Sequence, residues 1–282
     1  MPKETKTKPK KDEVAKGEPA EKKAKMRRPG PYQPGAGKQY PLSRNRIKQY
    51  LDCPRCFFLD LRYKVKPPSG AAYTLNAATD ALMKREFDKY RALGEPHPLM
   101  TKYGIRAVPF RHQDLEKWRD SRQGISAVHE ETQFEIYGGI DDVWQEEETG
   151  RLILADYKCT AKKDEVTDLE SGFGPSYKKQ IEMYQWIMRR MGFEVSPQAW
   201  FLYANGCANG EFNNRLEFRM TMISHSGKCE WIEDVLREIK LLLDGRELPV
   251  ASKECLTCRY IEKLIGCPAA GRTQLSNPPV KA

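Results

Sequence analysis

The sequence lacks the features of a membrane or secreted protein. No stretch of its 282 residues approaches the ~18 consecutive apolar residues that a membrane-spanning helix needs. The N-terminal region is rich in lysine and has no apolar core of the kind that a secretory signal carries. We therefore expect a cytoplasmic protein with no membrane partner, in which the eight cysteines are thiols or metal ligands rather than disulfides.

The sequence also lacks a Gly-x-x-x-x-Gly-Lys-Ser/Thr phosphate-binding loop and any internal repeat. Without that loop the chain has no motif for binding and hydrolysing a nucleoside triphosphate. Any ATP-driven step in its function would then have to come from a partner protein.

Positive charge is concentrated in the N-terminal segment. The chain has a formal net charge of +9, and residues 1–40 hold twelve Lys or Arg against five Asp or Glu. The remaining body is therefore nearly neutral, so net charge alone does not predict a nucleic-acid-binding domain. The Lys, Pro, Glu, Ala and Gly composition predicts a disordered basic tail over 1–40, which serves either solubility or non-specific nucleic-acid binding. We place one domain at 41–270 and a flexible tail at 271–282.

The most informative stretch covers residues 134–158. Two β-type runs, the first over 134–145, flank a polar turn that ends in glycine, which predicts a β-hairpin. Asp156 and Lys158 are two residues apart and so lie on one face of their strand, with Asp141 on the neighbouring run. Carboxylates beside a lysine suit a metal ion and a phosphate, whereas an ion pair at a solvated hairpin end is the alternative.

The remaining elements complete an α/β pattern. Apolar periodicity and turn residues predict helices over 75–93, 176–191 and 229–243, and strands over 198–204 and 216–223. We expect a central mixed β-sheet, built around the hairpin and flanked by these helices.

Three motifs follow one another in a fixed order, after a Cys-Pro-Arg segment near the start of the domain. They are Gly138-x-x-Asp141, Asp156-x-Lys158 and Gln180-x-x-x-Tyr184. This ordered set resembles the PD-(D/E)XK nuclease superfamily, specifically the RecB-like branch that includes the AddB nuclease domain and CRISPR-associated RecB-like exonucleases. The resemblance covers roughly residues 42–268.

The resemblance implies a restriction-endonuclease-like core and a Mg²⁺- or Mn²⁺-dependent DNA nuclease, more an exonuclease than an endonuclease. Such an enzyme would act in DNA repair, recombination or defence, with DNA and a helicase or other repair or defence proteins as partners. A non-catalytic DNA- or partner-binding module on the same fold is the alternative, and an acidic hairpin with no function is a third.

The resemblance assigns roles to residues of the hairpin. Asp141 and Asp156 would bind the metal ion together with the backbone carbonyl of Tyr157. Lys158 would orient the attacking water or stabilise the developing negative charge. Asp142 points to the opposite face of its strand and is expected to be a bystander.

Two further assignments fall on helices. Gln180 and Tyr184 lie four residues apart on one helix face and would contact substrate, although core packing of Tyr184 is an alternative. Asp80 stands where RecB-like members carry a metal-binding histidine. We expect it to be a metal ligand or else a plain helix-surface residue, with Glu86 as a substitute on the same helix.

The cysteines allow a second metal site. Several RecB-like nucleases hold a 4Fe–4S cluster with one cysteine before the core and three after it, which would be Cys53, Cys255, Cys258 and Cys267 here. With Cys56 in place of Cys267, the same set becomes two Cys-x-x-Cys pairs that also suit tetrahedral Zn²⁺. The third possibility is that these cysteines bind no metal.

Aromatic residues lie near the expected path of a substrate. Phe173, Tyr177 and Trp186 are placed for stacking on bases, but for most of them we favour core packing.

Overall fold

The computed structural model describes residues 29–265, except 69, 71 and 72. Within these residues it has a mixed α/β fold with two sheets. In chain order the elements are β1 (Tyr40–Ser43), α1 (Arg44–Asp52), α2 (Pro54–Tyr63), α3 (Thr74–Leu93), α4 (Pro98–Lys102), β2 (Ala107–Pro109), α5 (Leu115–Arg119), β3 (Ile125–His129), β4 (Phe134–Gly138), β5 (Asp142–Glu146), β6 (Leu152–Thr160), α6 (Gly174–Arg190), β7 (Gln198–Gly206), β8 (Phe218–Ser226), α7 (Trp231–Asp244) and α8 (Leu256–Ile265). The predicted α/β class is confirmed.

The larger sheet has the strand order β2-β5-β6-β7-β8. β6 and β7 run parallel, and the other neighbouring pairs are antiparallel. The predicted hairpin is present as β5 and β6, with Asp142 opposite Ala155. β6 is the central strand, and its residues 152–157 are all buried, as expected for a strand that is covered on both faces.

The first strand of the predicted hairpin is not continuous. The prediction of one strand over 134–145 is wrong, because β4 ends at Gly138 and belongs to a smaller sheet of order β1-β4-β3. β5 then begins at Asp142 in the larger sheet. Asp141 therefore lies in the connection between the two sheets rather than within a strand, two residues after the glycine pair that interrupts the run.

Helices cover β6 and β7 on both faces. Successive residues of a strand point to opposite faces. Phe201 of β7 accordingly packs in one buried cluster with Ile181 of α6, and Leu202 packs in a second with Phe87 of α3. The same alternation in β6 turns Asp156 towards α6 and the ring of Tyr157 towards α3.

The packed structure extends into the predicted N-terminal tail. Tyr32 is buried, and its hydroxyl donates a hydrogen bond to Oδ1 of Asp244 at 2.8 Å. Its ring also meets that of Phe134 edge to face. Packed residues are thus present before the predicted start of the domain at residue 41, whereas residues 1–28 and 266–282 lie outside the described residues. No described helix is long and apolar enough to cross a bilayer.

A buried ionic network fixes the connection that carries Asp141. Arg119 donates from Nε to the backbone carbonyl of Asp141 at 3.1 Å, and its guanidinium also bonds Asp88 at 2.9 and 3.0 Å and Asp142 at 3.2 Å. Arg91 of α3 pairs with the same two acids. Asp142 is fully buried, and a buried charge is costly unless it is paired. Asp142 therefore helps to hold α3 and α5 against the sheet.

Asp88→Asn is expected to destabilise the fold in a pH-dependent way. Partial burial alone would raise the pKa of Asp88, but hydrogen bonds and charge from Arg119 and Arg91 outweigh it and lower the pKa. A lowered folded-state pKa stabilises the protein above the ordinary carboxyl value, and this contribution is lost as pH falls through the folded-state value. Because Asp88 is partly exposed, we expect a loss of about 1 kcal/mol at neutral pH and a clearly smaller loss at about pH 3, where the carboxyl group is partly protonated.

Urea denaturation at the two pH values measures this difference. Asp234→Asn is the control, because Asp234 forms a more exposed pair with an arginine three residues away on α7. It should change stability by only a few tenths of a kcal/mol, as is usual for surface pairs. Equal destabilisation by Asp88→Asn at both pH values would contradict the account of the network.

Candidate active site

The central strand brings an acid and a lysine to the face covered by α6. Asp156 is only 1% exposed, and its Oδ1 accepts a hydrogen bond from Nε2 of Gln180 at 2.8 Å. Its Oδ2 pairs with Nζ of Lys158, which also lies 4.3 Å from the centroid of the Tyr177 ring. The predicted pair thus forms, and α6 supplies a partner for each of its members.

The second carboxylate oxygen of Asp156 is suited to a cation. Oδ2 is buried, and its partner among the described residues is the ammonium group of Lys158. Burial raises the pKa of Asp156 to about 6, with the positive charge of Lys158 opposing this and the nearby Asp141 adding to it. Two neighbouring carboxylates supply the hard oxygen ligands that a divalent cation prefers, so this donor set fits Mg²⁺ or Mn²⁺.

Asp141 reaches the same place from the connection between the sheets. Its Oδ2 accepts a hydrogen bond from the backbone N–H of Tyr157 at 2.9 Å. In an extended strand the N–H and C=O of one residue point to the same side, so the carbonyl of Tyr157 also faces Asp141. The structure therefore brings together the predicted oxygen donors Asp141, Asp156 and the Tyr157 carbonyl.

Lys84 is part of the site and was missed by the sequence analysis. Its Nζ lies 2.8 Å from Oδ2 of Asp80 and 3.0 Å from Oδ1 of Asp141. Burial alone would lower the pKa of Lys84, but the two carboxylates outweigh it and raise the pKa. Asp80 is thus connected to Asp141 through Lys84, which contacts both carboxylates. The helical spacing of Asp80 and Lys84 was readable from the sequence, whereas the contact with Asp141 depends on the tertiary fold.

Glu86 lies away from this centre. Its side chain is largely exposed and pairs with His97 at 3.2 Å.

A glycine allows α6 to pack close to the acids. A Cβ added to Gly138 would lie 2.7 Å from Cε1 of Tyr184, closer than real Cβ atoms come to their neighbours. Tyr184 is 4% exposed and Gln180 is 7% exposed. Nε2 of Gln180 lies 3.5 Å from the Tyr184 hydroxyl, which also bonds Arg44. These two residues were predicted to contact substrate, and in the described structure they pack behind Asp156.

Four cysteines, two from near each end of the domain in sequence, lie close together in the fold. The sulfur atoms of Cys53, Cys56, Cys255 and Cys258 all lie within 4.8 Å of one another. The separation is 3.9 Å for Cys53 and Cys258, 3.6 Å for Cys56 and Cys255, and 3.5 Å for Cys56 and Cys258. This is the set of two Cys-x-x-Cys pairs, whereas Cys267 lies outside the described residues. The four thiols could hold a metal ion or cluster.

One thiol of this group is readily ionised. Burial raises the pKa of Cys53, but backbone N–H groups of Cys56 and Ser252 and the neighbouring thiols outweigh it and lower the pKa to about 7. Burial raises the pKa of Cys56 and raises that of Cys258 to about 11, so these two thiols stay protonated when no metal ion is bound. A thiolate is the form that binds metal ions, so metal binding here would release protons.

Comparison with known proteins identifies the superfamily to which the chain belongs. A search of curated proteins found no match. The crystal structure of SSO0001 is similar, with 14% sequence identity over 83% of this chain and 89% of that chain and a TM-score of 0.36. A family model of the PD-(D/E)XK nuclease superfamily matches residues 41–262, which is most of the chain and includes the convergent acids and lysine. The chain therefore belongs to the PD-(D/E)XK nuclease superfamily.

Proposed function

We propose that this protein is a metal-dependent DNA nuclease of the RecB-like type. The observation that carries the proposal is the convergence of Asp141, Asp156 and Lys158 at one end of the larger sheet. Membership of a nuclease superfamily makes DNA the expected substrate. Asp141, Asp156 and the carbonyl of Tyr157 would hold Mg²⁺ or Mn²⁺, which acts as a Lewis acid on the phosphodiester when bound.

The protein side chains have separate tasks in this scheme. Gln180 holds Oδ1 of Asp156 by a hydrogen bond and so directs Oδ2 towards the cation. Burial would lower the pKa of Lys158, but Asp156 and Asp141 outweigh it and raise the pKa. Lys158 therefore stays protonated near neutral pH and acts as a fixed positive charge for the phosphate oxygens, not as a general base.

The RecB-like assignment follows the order of the motifs and the position of the cysteine pairs at the two ends of the domain. We extend the proposal to exonuclease action in DNA repair, recombination or defence, with any unwinding supplied by a helicase partner. End-labelled linear DNA and covalently closed circular DNA distinguish the two modes, because an exonuclease leaves the circle intact.

A non-catalytic DNA-binding module is the second candidate. The observation that favours it is Lys84, whose ammonium group already lies between Asp80 and Asp141. A fixed positive charge there could satisfy the carboxylates without a metal ion. Recovery of intact DNA from complexes incubated with Mg²⁺ or Mn²⁺ would support this alternative.

Asp141→Asn, Asp156→Asn and Lys158→Met are each expected to lower the rate of DNA cleavage by about 100-fold or more, because the first two each weaken a proposed metal ligand and the third removes the positive charge that faces the phosphate. The substitutions keep side-chain shape, so circular dichroism should show a folded protein. Cleavage of end-labelled DNA with Mg²⁺ or Mn²⁺ is the measurement. Asp114→Asn, at a half-exposed position outside the site, should cleave as the wild type does. Undiminished cleavage by Asp156→Asn would reject the proposed centre.

Lys84→Met is expected to tighten Mn²⁺ binding severalfold, because it removes a positive charge 3.0 Å from Oδ1 of Asp141. Lys89→Met is the matched control, since it removes the same charge from an exposed position on the same helix. The free Mn²⁺ concentration, followed by electron paramagnetic resonance during a titration, gives the affinity independently of cleavage. Weaker binding by Lys84→Met would contradict the prediction.

The same titration decides the role of Asp80. If Asp80 acts only through Lys84, adding Asp80→Asn to Lys84→Met leaves Mn²⁺ affinity unchanged. If Asp80 is itself a ligand, as predicted from the sequence, the double variant binds Mn²⁺ more weakly than Lys84→Met alone.

We also propose that the four cysteines bind a single tetrahedral Zn²⁺. A tetrahedral ion with metal–sulfur bonds of about 2.3 Å has its sulfur atoms about 3.8 Å apart. Three of the six separations, from 3.5 to 3.9 Å, are close to this value, and the other three are at most 4.8 Å. In a 4Fe–4S cluster each cysteine binds a different iron atom, so the sulfur atoms have to lie farther apart than around one ion.

The purified protein is expected to contain zinc and to be colourless. Cys56→Ser should lose the metal and lower thermal stability, whereas Cys207→Ser, at a position outside the group, should change neither. Elemental analysis, an absorption spectrum and thermal denaturation make the comparison. Iron together with a visible absorption band after anaerobic purification would favour the cluster instead. A colourless, metal-free and folded protein would exclude both metals.

A further inference from the structure

A cleft of about 600 Å³ opens beside the candidate active site. Lys158 lines it, so the cleft and the proposed catalytic centre share a residue. Four aromatic side chains from three parts of the chain also line it, namely Tyr73, Phe173, Tyr177 and Tyr203. A substrate bound in the cleft would therefore be in direct contact with Lys158.

The fold leaves two of these rings in solvent. Tyr73 is 82% exposed and Phe173 is 71% exposed. Core packing, which we favoured for most aromatic residues near the site, holds for the buried Trp186 but not for Phe173. Exposed rings in a cleft next to a reactive centre offer flat apolar surfaces to a ligand.

The rings form a row that leads to Lys158. The ring centroids of Phe173 and Tyr177 are 6.2 Å apart, with their planes inclined by 32°. Nζ of Lys158 lies 4.3 Å from the centroid of the same Tyr177 ring. A flat group that stacks on Phe173 would therefore lie only one aromatic side chain away from the catalytic lysine.

The charges of the cleft favour bases over phosphates. Two lysines line it, Lys158 and Lys162, against three acids, Asp164, Glu165 and Asp168. The acids repel a row of phosphates but do not repel the face of a nucleobase. A DNA strand is therefore better placed with its bases in the cleft and its phosphates outside, apart from the phosphate at Lys158.

We propose that Phe173, Tyr177 and Tyr73 form a stacking subsite for unpaired nucleobases of the substrate strand. The identity of the ligand as DNA rests on the proposed nuclease function. Bases within a duplex are paired and stacked on one another, so they cannot present their faces to these rings without being extruded. The subsite therefore selects single-stranded DNA or unpaired ends over a blunt duplex.

The test measures binding without cleavage. Fluorescence anisotropy in buffer without added divalent metal compares labelled oligothymidine, an abasic strand of the same length and a blunt duplex. The wild type should bind oligothymidine about tenfold more tightly than the abasic strand. Phe173→Ala should abolish this difference by weakening oligothymidine binding alone, and Phe173→Trp should retain it. Phe212→Ala is the matched control, because Phe212 is 76% exposed but does not line the cleft.

Failure of the subsite and failure of the nuclease proposal give different results. Equal binding of oligothymidine and the abasic strand by the wild type, or undiminished oligothymidine binding by folded Phe173→Ala, would overturn the subsite even if DNA is cleaved. Base-dependent binding that Phe173→Ala removes would uphold the subsite, even if Mg²⁺ and Mn²⁺ support no cleavage and the nuclease proposal falls.

Discussion

A carboxylate buried in the middle of an apolar strand is the constraint on which the arrangement of this site depends. Asp156 follows four buried apolar residues of β6, and an unpaired charge there would be very costly. Lys158 supplies an opposite charge from the same face of the strand, and Gln180 donates a hydrogen bond from α6. α6 can come this close because Gly138 has no side chain to collide with Tyr184. Residues from all three sequence motifs therefore pack together around the charge of Asp156.

A second buried charge, that of Asp142 at the start of the neighbouring strand β5, lies against the opposite face of β6. The hydroxyl of Tyr157 donates to Oδ2 of Asp142 at 2.7 Å, and Arg91 and Arg119 pair with the other oxygen. Asp141 links the two faces, because Arg119 holds its carbonyl and the N–H of Tyr157 holds its carboxylate. The proposed metal-binding groups are therefore supported from both sides, which would keep their positions fixed before any ion or substrate arrives.

The sequence predicted the parts of this arrangement that depend on local pattern. The helix over 75–93 and the hairpin of β5 and β6 were recognised because periodicity and turn residues determine them. The division into two sheets was missed, since β-forming residues continue on both sides of the break and only the glycine pair marks it. Lys84 was missed for another reason. Its role arises from contact with Asp141, which is 57 residues away along the chain.

For the cysteines, too, the local spacing was readable from the sequence, whereas the tertiary contacts were not. Their spacing showed two Cys-x-x-Cys pairs but left open which four would meet, and the fold brings together the pair before α3 and the pair at the start of α8. A metal ion there would fix the start of α2, which follows α1 after a single residue. α1 begins with Arg44, which bonds Tyr184 behind Asp156. The cysteine site therefore has a continuous structural connection to the acids although none of its thiols touches them. With a metal ion bound, the site would hold the two ends of the domain together, and with them the helix that supports the proposed catalytic carboxylate.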